Sequence, residues 1–166
     1  GRLNTDLSWV REAQGWRLSA PDIQLENQDL KARAALKLWL PGGDQSPEID
    51  LVAGFDEGRL ANTSRYLPVA IMPPKLTEWL GKAIVGGQAT HGAVHLNGPL
   101  KQFPFDRRQG RFEVRFNVRD GILDYMDDWP RLEEVEAGFL FQGRSMDVNV
   151  VTAKTRHGDI DQARVR

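Results

Sequence analysis

The sequence contains no cysteine, so disulfides, thiol nucleophiles and cysteine-ligated metals are excluded from its chemistry. It has no apolar run long enough to span a bilayer as a helix. It lacks the pattern of a signal peptide. It has no excess of one charge: 22 basic residues stand against 23 acidic ones, for a net charge of −1. That balance gives no footprint for nucleic acid, and no acidic tail is present. Familiar catalytic frames are missing as well, including the nucleophile elbow, the phosphate loop and the dinucleotide fingerprint. The sequence therefore points to a non-enzymatic protein without a cofactor. What remains is 166 residues of globular composition, 40% apolar and 27% charged, enough for one domain with a real core.

Most of what is present alternates. In the stretch RFEVRFNVR, Phe112, Val114, Phe116 and Val118 fall on one side, and Arg111, Glu113, Arg115, Asn117 and Arg119 on the other. Nine residues of period two predict a half-buried strand. The same pattern holds Leu36, Leu38 and Leu40 against Lys37 and Trp39. It holds Ile49, Leu51 and Phe55 against Asp50, Val52 and Asp56, and Val94 and Leu96 against His95 and Asn97. Residues 5–10 and 16–20 read as a hairpin around REAQG. Asp120-Gly121 reads as a turn folding Ile122–Tyr125 back on its own strand. Further strands are expected near 134–141, 146–152 and 159–165. They contribute Phe139, Phe141, Val148 and Val150 to the apolar side. The short connections predict an antiparallel meander of about four strands, a crossing segment, and five or six more.

The crossing segment is YLPVAIMPPKLTEWLGKAI. It does not alternate. From Pro74 its apolar residues Leu76, Trp79, Leu80, Ala83 and Ile84 recur at helical spacing, with Lys75, Glu78 and Lys82 on the opposite side. Pro74 suits the first turn and Gly86 the C-terminal cap, which predicts a helix over 74–85 about 18 Å long.

Other constellations read as surface. His91 and His95, four apart on a strand, are separated by about 13 Å, too far to share an ion. The acidic run 124–136 lacks a calcium-loop pattern and reads as a solvated loop. The stripe Arg107, Arg108, Arg111, Arg115, Arg119 lies opposite the apolar side and reads as a wet outer face. The apolar side itself leaves two architectures open. It is either the core of a closed sandwich, which would act as a structural or carbohydrate-binding module, or the lining of an open groove.

The segments Tyr66-Leu67-Pro68, Trp79-Leu80, Gly86-Gly87, Gly98-Pro99-Leu100 and Phe103-Pro104-Phe105 recur in that order in one family. So do Gly110-Arg111-Phe112, Leu123-Asp124-Tyr125, Trp129-Pro130-Arg131-Leu132 and Phe139–Gly143, and Trp16–Pro21 fits as well. Over nearly its whole length the chain resembles the YhdP-type, AsmA-like envelope proteins of Gram-negative bacteria. The resemblance implies an all-β, mainly antiparallel fold, curled into an open groove and crossed by one short helix. It implies an internal slice of a much longer periplasmic bridge, anchored in the inner membrane by a helix outside this chain. Phospholipids would move along that bridge between the inner and outer membranes. On this reading residues 1–65 end one repeat, 66–86 cross the groove, and 87–166 form the next repeat. The partners are phospholipid acyl chains and neighbouring repeats, with no nucleic acid, and membrane contact arises only through the full-length protein. The lining would be the sixteen apolar strand residues named above, from Leu36 to Val150. Leu76, Trp79, Leu80, Ala83 and Ile84 would turn toward the groove from the helix.

Overall fold

A computed structural model describes residues 1–65, 78, 81–124, 128 and 130–165. They form one open antiparallel sheet of ten strands. The strands are β1 (Arg2–Thr5), β2 (Ser8–Glu12), β3 (Gly15–Glu26), β4 (Leu30–Pro41), β5 (Glu48–Arg59), β6 (Ile84–Pro99), β7 (Arg111–Leu123), β8 (Leu132–Gln142), β9 (Ser145–Thr155) and β10 (Gly158–Val165). From β3 to β10 each strand pairs with the next in sequence, while β1 and β2 share the outer edge of β3. No second sheet is present among the described residues, so the closed-sandwich alternative is not the architecture.

Local chemistry sets the turns. At the β3–β4 connection the Asn27 Oδ1 accepts hydrogen bonds from the backbone N–H groups of Asp29 and Leu30, closing a tight reversal. The REAQG hairpin forms, but its register pairs Arg11 with Trp16 and Glu12 with Gly15. The turn is therefore only Ala13-Gln14, and Thr5 belongs to β1 instead. Five strands precede the crossing segment and five follow it.

Three expectations are corrected. Asp120-Gly121 is not a turn: β7 runs straight through it to Leu123. Asp120 adopts a φ of 50°, and the pairing with β8 slips between Val118 and Gly121, so the pair forms a β-bulge. Ile84 is not helical but opens β6, because its backbone pairs with Leu123 on β7. Gly86 accordingly lies in that strand rather than capping a helix. Of the helix, residues 78 and 81–83 are helical, and Lys82 Nζ donates to Glu78 Oε1 at 2.7 Å, one turn away. Leu76, Trp79 and Leu80 lie outside the described residues. Ala83 is buried.

Bulges recur on strand after strand. Register slips occur in β3 between Ala20 and Ile23, in β5 beside Asp56, and in β6 between Thr90 and Ala93. Others fall in β7 at Asp120, in β8 between Glu133 and Glu136, and in β9 between Val150 and Thr152. His91, Asp120 and Glu134 hold left-handed φ values of 53°, 50° and 49° at these places. Each bulge bends its strand and adds twist, so successive bulges curl the sheet.

The buried core is small and split. One cluster is Val135, Ala137, Val148 and Ala153, with Leu123, Leu132, Phe139, Met146, Val150 and Ile160 packed around it. The other is Leu60, Ala89 and Val118, flanked by Phe55, Ile84, Phe116 and Phe139. Leu60 comes from a 3-10 segment, Leu60–Arg65, that leaves β5 and folds over β6.

Candidate functional site: an uncharged face on an open sheet

Residues paired across an antiparallel ladder point to the same side of the sheet. One row runs Ile23, Ala34, Ala53, Val94, Val114, Phe141 and Met146, crossing seven strands. Beside it run Ala20, Leu36, Leu51, Leu96 and Phe112, then Leu18, Leu38, Ile49 and Gly98. On the other flank lie Leu25, Ala32, Phe55 and Gly92, and farther along the sheet Phe116, Phe139, Val148 and Val165. A last row is Gly58, Ala89, Val118, Ala137, Val150 and Ala163, and Leu40 pairs with Trp16 at the other margin. All sixteen strand residues singled out in the sequence thus share one face. These rows contain no Asp, Glu, Lys or Arg.

The opposite face is charged. Lys37 pairs with Asp50, and Asn97 with Arg111. Arg111 Nη2 reaches Glu113 Oε2 at 2.7 Å, and Gln142 Nε2 donates to the same oxygen at 3.2 Å. The hydrogen bonds from Arg111 and then Gln142 hold the Glu113 carboxyl below its ordinary range. A mixed-charge hollow lined by Lys31, Asp56, Glu57, Thr90, His91 and Arg119 also belongs to this side. His91 and His95 both lie on β6, and Arg115 and Arg119 are exposed as the stripe predicts.

The apolar face is not evenly open. Leu96, Val118 and Val148 are buried, at 4%, 5% and 9% exposure. Leu36, Leu38, Ile49, Leu51, Phe55, Val94, Phe112, Val114, Phe116, Phe139, Phe141 and Val150 are half-buried, and Leu40 is exposed. The covers sit at the two ends of the strands. At one end the Phe103-Pro104-Phe105 loop folds in. Phe103 meets Phe112 edge-on at 5.0 Å and Phe105 at 5.8 Å, and Phe105 is itself 6% exposed. At the other end Leu60 packs on Ala89 and Val118. Between the covers, Phe112 to Val118 spans about 20 Å at the strand rise of ~3.3 Å per residue. Phe116 stacks on Phe139 at 5.1 Å with an interplanar angle of 8°, and on Phe141 at 6.3 Å.

The alternation in the sequence already carries Ala32, Ala34 and Ala53 on this side, but not Ala20 or Ala137. Ala20, Ala34, Ala53 and Ala137 complete the rows. Charged neighbours mark Ala32 and Ala34 around Arg33, whereas Ala20 lies between Ser19 and Pro21 and has no such signal.

Residues 1–166 match the family described as "YhdP protein". A curated relative, the "Intermembrane phospholipid transporter YhdP" of Escherichia coli (strain K12), is 27% identical over 147 residues. The match covers 87% of this chain but 12% of the relative, so the chain spans a small part of that protein's length. No solved structure matches. With the family match running from its first residue to its last, the chain belongs to the YhdP family.

Proposed function

We propose that this chain is a segment of a periplasmic bridge that conducts phospholipids between the inner and outer membranes, with its uncharged face as the lining. The observation that carries the reading is that face: rows of aliphatic and Phe side chains cross up to seven strands without a charge, and among the described residues no second sheet covers them. The transport named for the Escherichia coli relative supports it. Acyl chains gain roughly 0.8 kcal/mol per buried methylene. A chain of about sixteen carbons lying on an open face buries about half its surface, worth on the order of 6 kcal/mol. Spread over near-equivalent rows, that is affinity without a single deep stop. The headgroup stays in water, so no polar pocket or catalytic group is needed.

In this reading Leu36, Leu38, Leu40, Ile49, Leu51, Val94, Val114 and Phe141 meet lipid directly. Leu96, Val118 and Val148, on the same face but covered, hold the lining in place between them. The stretch that precedes β6 crosses over the groove, residues 1–65 close one repeat, and the chain from β6 onward begins the next.

Photo-crosslinking tests it. A photoreactive residue at position 51, on the apolar face, should capture phospholipid, and one at position 50, on the charged face, should not. Equal capture at both, or lipid-free protein that takes up no labelled phospholipid, rules the lining out.

A further inference from the structure

Gly92 lies in β6 directly after His91, whose φ of 53° marks the bulge, and it pairs with Phe55 on β5. A Cβ placed on Gly92 would fall 1.9 Å from Phe55 Cε1, 2.0 Å from Cζ and 2.4 Å from Cδ1. Carbon atoms in contact stand about 3.5–4.0 Å apart. The phenyl ring therefore lies down on the β6 backbone, in space that any other residue at position 92 would need. Gly92 is buried, although it has no side chain to bury, while Phe55 remains half-buried.

The surroundings give this contact a consequence. Phe55 pairs on its other side with Ala32, and the adjacent row holds Ala34 and Ala53. Phe55 is thus the largest side chain of the two rows Ala32–Phe55–Gly92 and Ala34–Ala53–Val94 on β4–β6, next to the cover that Leu60 makes with Ala89 and Val118. A ring lying flat raises the floor by about one ring thickness, roughly 3.5 Å, and an upright ring would stand appreciably higher. No other residue at position 92 would leave the ring this low.

We propose that Phe55, held flat by Gly92, sets the clearance of the apolar face across β4–β6 and so limits the bulk of the lipid chain accepted there. This rests on the reading that phospholipid chains occupy the face. Unbranched acyl chains fit the low floor, and chains carrying a bulky terminal ring do not. Gly92 is a positioning residue acting through Phe55.

The experiment compares two phospholipids on this chain. One has unbranched chains and a headgroup fluorophore, the other a pyrene at the end of one chain. The parent should prefer the first by about tenfold or more in affinity. Phe55→Ala should bring the two to within about threefold by admitting the pyrene chain. Gly92→Ala should lift the ring and weaken the unbranched lipid about tenfold, and Phe55→Ala/Gly92→Ala should behave like Phe55→Ala alone. If Gly92→Ala fails to fold, the comparison of Phe55→Ala with the parent decides. A parent without preference, or a Phe55→Ala variant that keeps the parent's preference, overturns the proposal and leaves the phospholipid reading standing. A parent that takes up neither lipid overturns both.

Discussion

Leu36 and Leu96 belong to one cross-strand row, two strands apart, yet only Leu96 is covered. Placing an aspartate at each separates an open face from a closed one. At Leu96, 4% exposed, the change forfeits about 2–3 kcal/mol of leucine burial and puts a carboxylate where water cannot follow. An unpaired buried charge costs several kcal/mol more, or is neutralised by a large upward pKa shift. Together that is roughly 5 kcal/mol or more, comparable to the whole stability of many domains. At half-buried Leu36 about half the transfer term is lost, and the carboxylate remains hydrated, for a cost of about 1–2 kcal/mol. Arg115→Asp, on the charged face, should change stability by less than about 1 kcal/mol. Urea melts followed by circular dichroism measure all three. Leu96→Asp should be unfolded or nearly so. Leu36→Asp should fold and lose phospholipid uptake, and Arg115→Asp should keep both. If Leu36→Asp costs as much as Leu96→Asp, the face is closed over Leu36 as well, and the open groove is refuted.

The core makes further demands. Val135 is fully buried, so Val135→Ala should lower the unfolding free energy by about 2 kcal/mol in the same melts. Phe105 fills the end cover against Phe103, and a Cβ on Gly98 or Gly110 would already crowd its ring, so Phe105→Ala should cost about 3–4 kcal/mol. At Gly87 the φ is +107° and a Cβ would sit 2.7 Å from Gly121 Cα, so Gly87→Ala should destabilise more than an exposed-strand Gly→Ala exchange, read as a drop in Tm. The Glu113 carboxyl is held below its ordinary range by Arg111 and Gln142. A depressed folded pKa gives stability that is present above the unfolded value, about 4.3, and is lost as pH falls through the folded one. Parent protein should therefore exceed Glu113→Gln in stability at neutral pH, and melts repeated at successively lower pH should show that advantage shrinking.

The strongly alternating strands were legible because burial on one side and water on the other leaves a period-two record, clearest at Phe112–Val118. Register across the sheet then followed the apolar set, which is why distant segments deliver Leu51, Leu96 and Phe112 to one row. Two places were not legible. The first half of β6, IVGGQATHGA, carries few large residues. Its side is set by what lies on top of it, Leu60 and the Phe55 ring, and neither neighbour can be read from the stretch itself. Asp120-Gly121 has the composition of a turn, and the same left-handed preference serves a bulge equally well. Tertiary pairing with Val135 chose the bulge. Which members of the face are covered was also beyond the sequence, since Leu96 and Leu36 look alike in pattern and differ only in how far the rest of the fold covers each.

The bulges carry a consequence for how such a chain tolerates insertion and deletion. A strand without a bulge keeps one phase of side chains from end to end. A bulge resets that phase by one residue, so the apolar side before it and the apolar side after it are out of step in the sequence yet continuous in space. Deleting His91 would remove the reset in β6 and leave the strand length almost unchanged. With the extra residue gone, Ala89 and Gly92 stand two apart, so Val94 and Leu96 stay on the side of Ala89 in a strand of unbroken alternation, and what is lost is the crease itself. Deleting one residue from the Arg107–Gln109 turn would shift no strand by phase at all. A single-residue deletion at a crease should therefore keep the apolar side and flatten the strand, whereas one inside an unbulged run such as Phe112–Val118 should turn the residues on one side of it over.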